Sequence, residues 1–376
     1  MADWTKPFMA SYSWWRVDRA SYTYWRSAFD RGDFYATGTE TEQVTNIAKA
    51  TLQLNDSTET FETGLARCVG PLDVGNDLVR CRLTATWEDG TTEDVVLGTY
   101  DVSIPSRDVH GSYEECSAIL DGRLMELQQD AFEEPMVVPK GDNAFADAAR
   151  WVRRRGITFS DDDPSVVVGH AATTTYTFGL GADGYDGGSV LSAYNAVMSD
   201  VEGLRAATTD PYGRVMLRNP IDYDGTPVWT FAEGVNATFL EDATDERDTS
   251  KVCNVVICVY EADDATTVGT AEDTDSSSPW SIANYGRRKC AVYTYQDSAT
   301  QVQADAKAAE LLERNRSIVR RVTISHVYCP ARVGDIVEVS YPSAGIFGKF
   351  AIRTQTIDVG SAGCMTVSEL RRFERA

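Results

Sequence analysis

No stretch of this sequence approaches the ~18–20 consecutive apolar residues that a helix needs to cross a bilayer. The opening residues, Met1-Ala2-Asp3-Trp4-Thr5-Lys6-Pro7, lack the basic start and apolar stretch of a signal peptide. The protein is therefore expected to be soluble and not exported by a visible signal. Histidine is scarce, with 3 residues in 376, which leaves few bases for proton transfer. His110 precedes Gly111 in an expected turn, His170 follows Gly169, and His326 lies within an expected strand. None has a neighbouring Ser, Cys or carboxylate in a triad or H-E-x-x-H pattern. Basic residues are also short: 35 Lys and Arg stand against 57 Asp and Glu, a net charge of −22. Phosphate contacts need clustered Lys and Arg, so this balance argues against nucleic acid as a tightly held partner. An acidic surface repels DNA, which suits a protein past which DNA must slide.

The 8 cysteines do not read as a disulfide framework. Cys81, Cys253 and Cys258 sit in apolar strand-like runs, where a thiol behaves as a small hydrophobe. Cys68, Cys116, Cys290, Cys329 and Cys364 show no C-x-x-C spacing and no histidine partners, which argues against zinc. Reduced thiols and assembly in a cytoplasm follow. With 43% hydrophobic and 10% aromatic residues the chain can bury several cores, and its length suggests two to four domains.

What the sequence does contain is a succession of strand-like segments broken by acidic turns. Residues 78–87 and 93–104 flank the tight turn Glu88-Asp89-Gly90-Thr91, and 49–54 and 112–120 supply further strands. A short helix is expected within 120–129, closing a first barrel or sandwich over 1–132. The texture changes over 133–226, read as a small α/β domain. Phe145, Ala148, Ala149 and Val152 fall at helical spacing behind Asp142-Asn143 caps, and Arg153-Arg154-Arg155 ends that helix. A second helix is expected over 189–204, followed by the turn Thr209-Asp210-Pro211-Tyr212-Gly213-Arg214 and a strand over 215–218. From 227 to 376 a C-terminal β-rich domain with one helix is expected. Residues 252–260 read as a strand buried on both faces, 261–288 as a solvated acidic loop or arm, and 299–314 as a helix. A four-strand meander over 318–328, 335–341, 349–358 and 365–370 completes it. The fold class is α+β and predominantly β.

The N-terminal residues hold an echo, Ser11-Tyr12-Ser13-Trp14-Trp15-Arg16 and then Ser21-Tyr22-Thr23-Tyr24-Trp25-Arg26. Trp14, Trp15, Tyr22, Tyr24 and Trp25 are either strand residues packed on the first core or contacts for a neighbouring subunit, since Trp, Tyr and Arg anchor interfaces.

Motifs for chemistry do not hold up. Gly179-Leu180-Gly181-Ala182-Asp183-Gly184 matches G-x-G-x-x-G, but Tyr185-Asp186-Gly187-Gly188 delays the helix and the aspartates would repel phosphate. Asp161-Asp162-Asp163-Pro164 lacks the Gly and distal Glu of a calcium loop. Glu133-Glu134 is adjacent in extended chain, so the two carboxylates point to opposite faces. No catalytic, cofactor or metal site is expected.

The order of several phrases resembles the minor tail, or tail-hub, proteins of bacterial viruses and prophages, relatives of the central hub of contractile-tail baseplates. These are Asp77-Leu78-Val79-Arg80; Leu97-Gly98-Thr99-Tyr100-Asp101-Val102-Ser103-Ile104-Pro105-Ser106-Arg107; Asp121-Gly122-Arg123-Leu124-Met125-Glu126-Leu127; and Thr209-Asp210-Pro211-Tyr212-Gly213-Arg214-Val215. Trp229-Thr230-Phe231, Asn254-Val255-Val256, Gly286-Arg287-Arg288, the Ala-rich helix near 304–312 and Val333-Gly334-Asp335-Ile336-Val337-Glu338-Val339 follow in order. The resemblance implies two barrel domains akin to tail-tube subunits, joined by smaller α/β pieces. It further implies a homotrimeric ring at the tail tip of the virion, assembled in the bacterial cytoplasm. Its partners would be the tail tube or distal tail protein, the tape-measure protein and tip or fibre proteins, with DNA only passing through an acidic lumen. Two other readings remain: a secreted or surface β-sandwich that binds carbohydrate or acts as an adhesin, and a tail-associated cell-wall hydrolase.

Overall fold

The computed structural model describes residues 3–21, 37–55, 62–70, 72–155, 157, 159, 172, 175–181, 184–185, 188–198, 206–216, 221–250, 252–262, 265–295, 299–360 and 365–375. The chain divides into two compact units, Met1–Glu241 with Ser325–Ser368, and Asp242–Ile324 with Glu369–Ala376. The class is α+β and predominantly β.

In the first unit, seven strands come in succession: β1 (Phe8–Asp18), β2 (Thr39–Val44), β3 (Ile47–Asn55), β4 (Thr63–Val69), β5 (Leu78–Trp87), β6 (Thr92–His110) and β7 (Tyr113–Gly122). They pair antiparallel in the order β3-β4-β7-β6-β5-β1-β2. The period of two expected of half-buried strands is visible in β4, where Gly64, Ala66 and Cys68 are buried while Leu65, Arg67 and Val69 face out. The β5–β6 hairpin turns at Gly90, whose φ of 83° needs a residue without Cβ. Gly98, in β6, lies where the phenol of Tyr100 folds back: an added Cβ would sit 2.2 Å from Tyr100 Oη.

The expected barrels do not close among the described residues. To close the first, β3 would have to pair with β2 at the opposite edge. Instead the free side of β3 is taken by a strand from the C-terminal third, described below, so the sheet extends rather than curling shut.

Between residues 124 and 216 a small α/β layer follows. It contains α1 (Leu124–Gln128), β8 (Met136–Val138), α2 (Ala144–Arg153), β9 (Tyr176–Phe178), β10 (Leu180–Gly181), β11 (Gly184–Tyr185), α3 (Val190–Val197), β12 (Thr208–Thr209) and β13 (Val215–Met216). Asn143 caps α2 by accepting a hydrogen bond from the Ala146 amide at 3.0 Å, and Ser189 caps α3 through the Ser192 amide at 3.1 Å. Phe145, Ala148, Ala149 and Val152 of α2 are buried together with Val190, Tyr194 and Val197 of α3, the one-faced burial their spacing predicts.

The rest of the chain comprises β14 (Trp229–Ala232), β15 (Phe239–Asp248), β16 (Val255–Ala262), β17 (Ala265–Glu272), α4 (Ile282–Tyr285), β18 (Cys290–Tyr295), α5 (Gln301–Asn315), β19 (Ser317–Val327), β20 (Ile336–Tyr341), β21 (Ile346–Val359) and β22 (Met365–Arg375). It is β21 that occupies the edge of β3, with Thr354–Val359 antiparallel to Ala50–Asn55. The expected meander holds for β20, β21 and β22, which are successive neighbours. It fails for β19, which lies beside β22, because the other side of β20 carries β14 in parallel register, Trp229 opposite Val337.

The second unit holds a three-stranded sheet, β17-β16-β18, covered on one face by α5. Val256 and Cys258 are fully buried against Ala308 and Leu311; on the other face Val255 is fully buried and Ile257 and Val259 are half-buried, so burial on both faces holds at the start of β16 and thins along it. Thr300 and Gln303 form a capping box that starts α5. Arg320, 5% exposed, is held by both carboxylate oxygens of Asp245 at 2.8 Å and by Glu374 at 3.2 Å. The fork of hydrogen bonds from Arg320 in turn lowers the Asp245 carboxyl below its usual range.

The described residues of 261–288, expected as a solvated loop or arm, are structured instead. The acidic composition conceals a buried scaffold: Asn254 donates to the carbonyls of Trp280 and Arg287 at 3.0 and 2.9 Å and accepts from the Lys289 amide at 2.7 Å. Asp273, 2% exposed, accepts from Ser278 Oγ at 2.7 Å and pairs with Arg316 at 3.4 Å. Polar residues here satisfy buried backbone, which is the one use composition does not reveal.

Candidate functional site

Four phrases that are far apart in sequence meet at one buried polar junction in the first unit. Arg80 of β5 is 2% exposed. Its Nε donates to Thr99 Oγ1 at 2.9 Å, Nη1 reaches Glu40 Oε1 at 3.1 Å, and Nη2 donates to the Thr37 carbonyl. Glu40 also receives Arg82 at 2.7 Å. The Arg80 guanidinium lies over the Tyr212 ring, 5.0 Å from its centroid. Thr99 Oγ1 passes the chain of bonds on to the Pro211 carbonyl at 2.8 Å, and Thr209 Oγ1 donates to Glu62 at 2.9 Å. The turn 209–214 is itself preset, because Asp210 accepts from the amides of Tyr212 and Arg214 at 3.0 and 2.9 Å. Gly213, with φ 77°, passes so close to buried Arg123 that a Cβ would lie 2.6 Å from its Cδ. This junction fastens the α/β layer to the sheet. Its arginines are committed to carboxylates, carbonyls and a ring, so its chemistry is that of a clamp.

The aromatic N-terminus divides. Trp14 points into the packed side of β1 with 4% exposure, so its ring is core; Trp15, its neighbour on the opposite face, is half-buried with Nε1 donating to Ser13 Oγ at 3.1 Å. Tyr22, Tyr24 and Trp25 lie outside the described residues, as do Asp161, Asp162, Asp163, His170 and Cys364. The sequence missed a tighter aromatic group: Trp4, Phe8, Trp87 and Tyr328 meet edge-on or tilted at centroid distances of 5.1–5.7 Å.

Gly181 and Gly184 of the G-x-G-x-x-G match pair with each other between β10 and β11, and α3 begins only at Val190, so the described residues do not form a strand–loop–helix cradle for phosphate. Glu133 and Glu134 line a cleft of about 360 Å³ with Phe132, Trp151, Arg154 and Arg155. Arg155 of that lining is spent on Asp130 and on the Trp151 carbonyl at 2.9 Å. Among the described residues no group of three His, Cys, Asp or Glu could hold a metal ion, and no helix is long and apolar enough to cross a membrane.

One pair does have the geometry of an activated nucleophile. His326 Nε2 stands 2.8 Å from Ser368 Oγ, and Nδ1 stands 2.6 Å from the Val327 carbonyl. The carbonyl can only accept, so Nδ1 carries the proton and Nε2 accepts from the serine. Both residues are buried, at 1% and 0% exposure, with Phe231 against the imidazole and Gln355 donating to Ser368 at 3.4 Å. A substrate has no route to that serine, and the pair serves the core. Cys329, which the sequence left without a histidine partner, has its Sγ 4.0 Å from His326 Nδ1.

Burial pushes the His326 pKa down from 6.5 to about 4. The unfolded chain therefore takes up a proton below pH 6.5 that the folded chain refuses until about pH 4. Stability contributed by this site is complete above pH 6.5 and is lost as pH falls toward 4. Between pH 7 and pH 4.5 the loss is expected to be about 2.5 kcal/mol. Urea titrations at the two pH values check it: His326→Gln should remove most of that slope, and an unchanged slope would reject the assignment.

No family model matches the chain, and no curated protein matches its sequence. Solved structures do match its fold. The tail protein from Neisseria meningitidis MC58 superposes with a TM-score of 0.62 at 15% identity, covering 97% of each chain. The 43 kDa tail protein of prophage MuSo2 from Shewanella oneidensis gives 0.60 at 11% identity, over 88% of this chain and 95% of that one. A chain of the half-lidded PdpA–VgrG complex from Francisella gives 0.51 at 8% identity, and there 97% of this chain spans 58% of its counterpart. Likeness along nearly the whole length, on top of the ordered phrases in the sequence, identifies the fold of this chain as that of phage and prophage tail proteins.

Proposed function

We propose that this chain is a structural tail-hub protein of a bacterial virus, forming a ring at the tail tip that links the tube to the tip. The observation that carries this reading is the likeness in fold to a bacterial tail protein over 97% of each chain. The ring is a homotrimer, and its partners are the tail tube or distal tail protein, the tape-measure protein and the tip or fibre proteins. Assembly takes place in the host cytoplasm and the final location is the virion tail.

Three features support it. The sheet of the first unit ends at β2, whose outer side is unpaired among the described residues and offers backbone groups to a neighbouring copy. Trp15, like Tyr12, is a described aromatic of the N-terminal echo that retains surface, and it lies on β1, next to that edge. Each copy carries −22, so the lumen-facing positions of a ring would be rich in Asp and Glu and would let DNA pass without adhering. The division into 1–132, 133–226 and 227–376 belongs to the same reading; the core cluster of the middle piece also takes in Leu124, Leu127 and Phe132 from the end of the first.

Light scattering after size exclusion tests the proposal. The chain is expected to form a trimer, alone or on addition of its tube or distal tail protein, and to co-elute with the ring of that partner, which the resemblance to tail-hub proteins implies to be six-membered. A monomer that ignores the ring at every concentration would reject it.

A further inference from the structure

The strand register sets two buried thiols face to face. Cys68 of β4 and Cys116 of β7 are direct partners in the antiparallel ladder, between the pairs Arg67–Ser117 and Val69–Glu115. Both side chains point to the packed side of the sheet, at 3% and 5% exposure, and a thiol hydrogen bond joins them. Directly opposed residues of an antiparallel pair have Cα atoms roughly 4.5–5.5 Å apart, inside the 4.4–6.8 Å range that a disulfide spans. The other cysteines described have no such partner in the register: Cys81 lies opposite Trp14 and Gly98, and Cys258 opposite Gly269 and Tyr293.

We propose that Cys68 and Cys116 are a modification site: a dithiol that closes to an intrachain disulfide when the protein meets a small oxidised disulfide such as glutathione disulfide. The thiolate of one cysteine attacks the small disulfide and expels one thiolate, leaving a mixed disulfide on the protein. The second cysteine then attacks that protein sulfur and expels the other thiolate. One S–S bond forms in the protein and one is lost from the oxidant, the two cysteine protons end on the two released thiols, and both electrons pass to the small molecule. The pair sits one step from the end of β4, so fraying of the ladder beyond Val69 gives the oxidant access. Burial raises the Cys68 thiol to about 12, which makes exchange slow at neutral pH. The bond would close residues 69–115, with strands β5 and β6, into a loop anchored inside the core sheet. This inference stands apart from the tail-hub reading and survives its failure.

The test equilibrates the full chain in glutathione buffers of graded redox ratio, traps free thiols by acid quench and alkylation, and maps linked peptides by mass spectrometry. A Cys290→Ser background removes the one exposed thiol described. The expected result is a single dominant linkage, Cys68 to Cys116, with a melting temperature raised by roughly 5 °C and restored by dithiothreitol. Cys68→Ala and Cys116→Ala should each abolish both the linked peptide and the redox-dependent shift. Should those variants misfold, the peptide map of the parent chain still decides. Two free alkylated thiols at positions 68 and 116 in the most oxidising buffer, after incubation long enough for local opening, would overturn the proposal; so would a dominant linkage to any other cysteine.

Discussion

Replacing Arg80 by methionine is expected to lower the unfolding free energy by about 3 kcal/mol and to free the turn 209–214 from the sheet. Methionine fills most of the arginine's volume, so the loss is chemical rather than a cavity. It removes the bonds from Arg80 to Thr99, Glu40 and the Thr37 carbonyl, and the cation over the Tyr212 ring. Glu40 keeps Arg82 at 2.7 Å, which limits the cost of leaving its carboxylate behind. The effect therefore falls at the lower end of what breaking a buried pair does. Lysine at the same position should recover less than half, because a point charge cannot serve three acceptors in one plane and does not stack on a tyrosine. Denaturant titration gives the stability change. Limited proteolysis gives the second readout: cleavage within 209–214 should appear in Arg80→Met while the rest of the sheet stays protected. Less than about 1 kcal/mol, with the turn still protected, would mean the junction is not the fastening it is argued to be.

That junction also marks how far the sequence could be read. The phrases containing Arg80, Thr99, Arg123 and Pro211-Tyr212-Gly213 were visible as ordered segments, and their likeness to tail-hub proteins pointed to the fold. Their meeting in space was not legible, since Thr99 and Pro211 are joined across 112 positions. Local periodicity tells where elements lie: β5, the turn at Gly90, the cap of α2, the start of α3 and the body of α5 fall close to their expected places. Pairing is a different kind of information. The strands and their turns suggest a barrel or sandwich and the resemblance implies barrels, yet whether a sheet closes depends on which strand reaches its edge, and β21 comes from roughly 300 positions beyond β3. The same gap hid the Cys68–Cys116 pair, which no spacing rule finds. Composition misled at 261–288, where Asp273 and Ser278 are acidic or polar yet buried. Gly98 shows a finer limit: in sequence it is a glycine in a strand, and only the fold shows it yielding space to Tyr100.

Gly269 makes the strongest case for a glycine fixed by packing, and Gly269→Ala is expected to destabilise the second unit by about 3 kcal/mol. It lies in β17 on the side facing α5, where a Cβ would stand 2.2 Å from both the carbonyl carbon and oxygen of Ala304. Real Cβ atoms do not approach so closely, and the obstacle is main chain, so no rotamer change relieves it. Helix α5 must lift from the sheet or β17 must bow away. Lifting α5 exposes Ala308, Leu311 and Leu312 and breaks their contact with Val256 and Cys258. It also strains the bonds that register the helix start, from the Thr270 amide to Asp305 at 3.3 Å and from Gln301 to the Val268 carbonyl at 2.8 Å. Because the clash is with backbone, adding Ala304→Gly should not rescue the variant, whereas a clash with the Ala304 methyl would be rescued. Hydrogen exchange should accelerate through α5 and β17 while β3–β7 of the first unit remain slow. Wild-type stability in Gly269→Ala, or full rescue by Ala304→Gly, would show that α5 is not seated on β17 backbone to backbone. The helix would then owe its position to the Leu311 and Leu312 side chains alone.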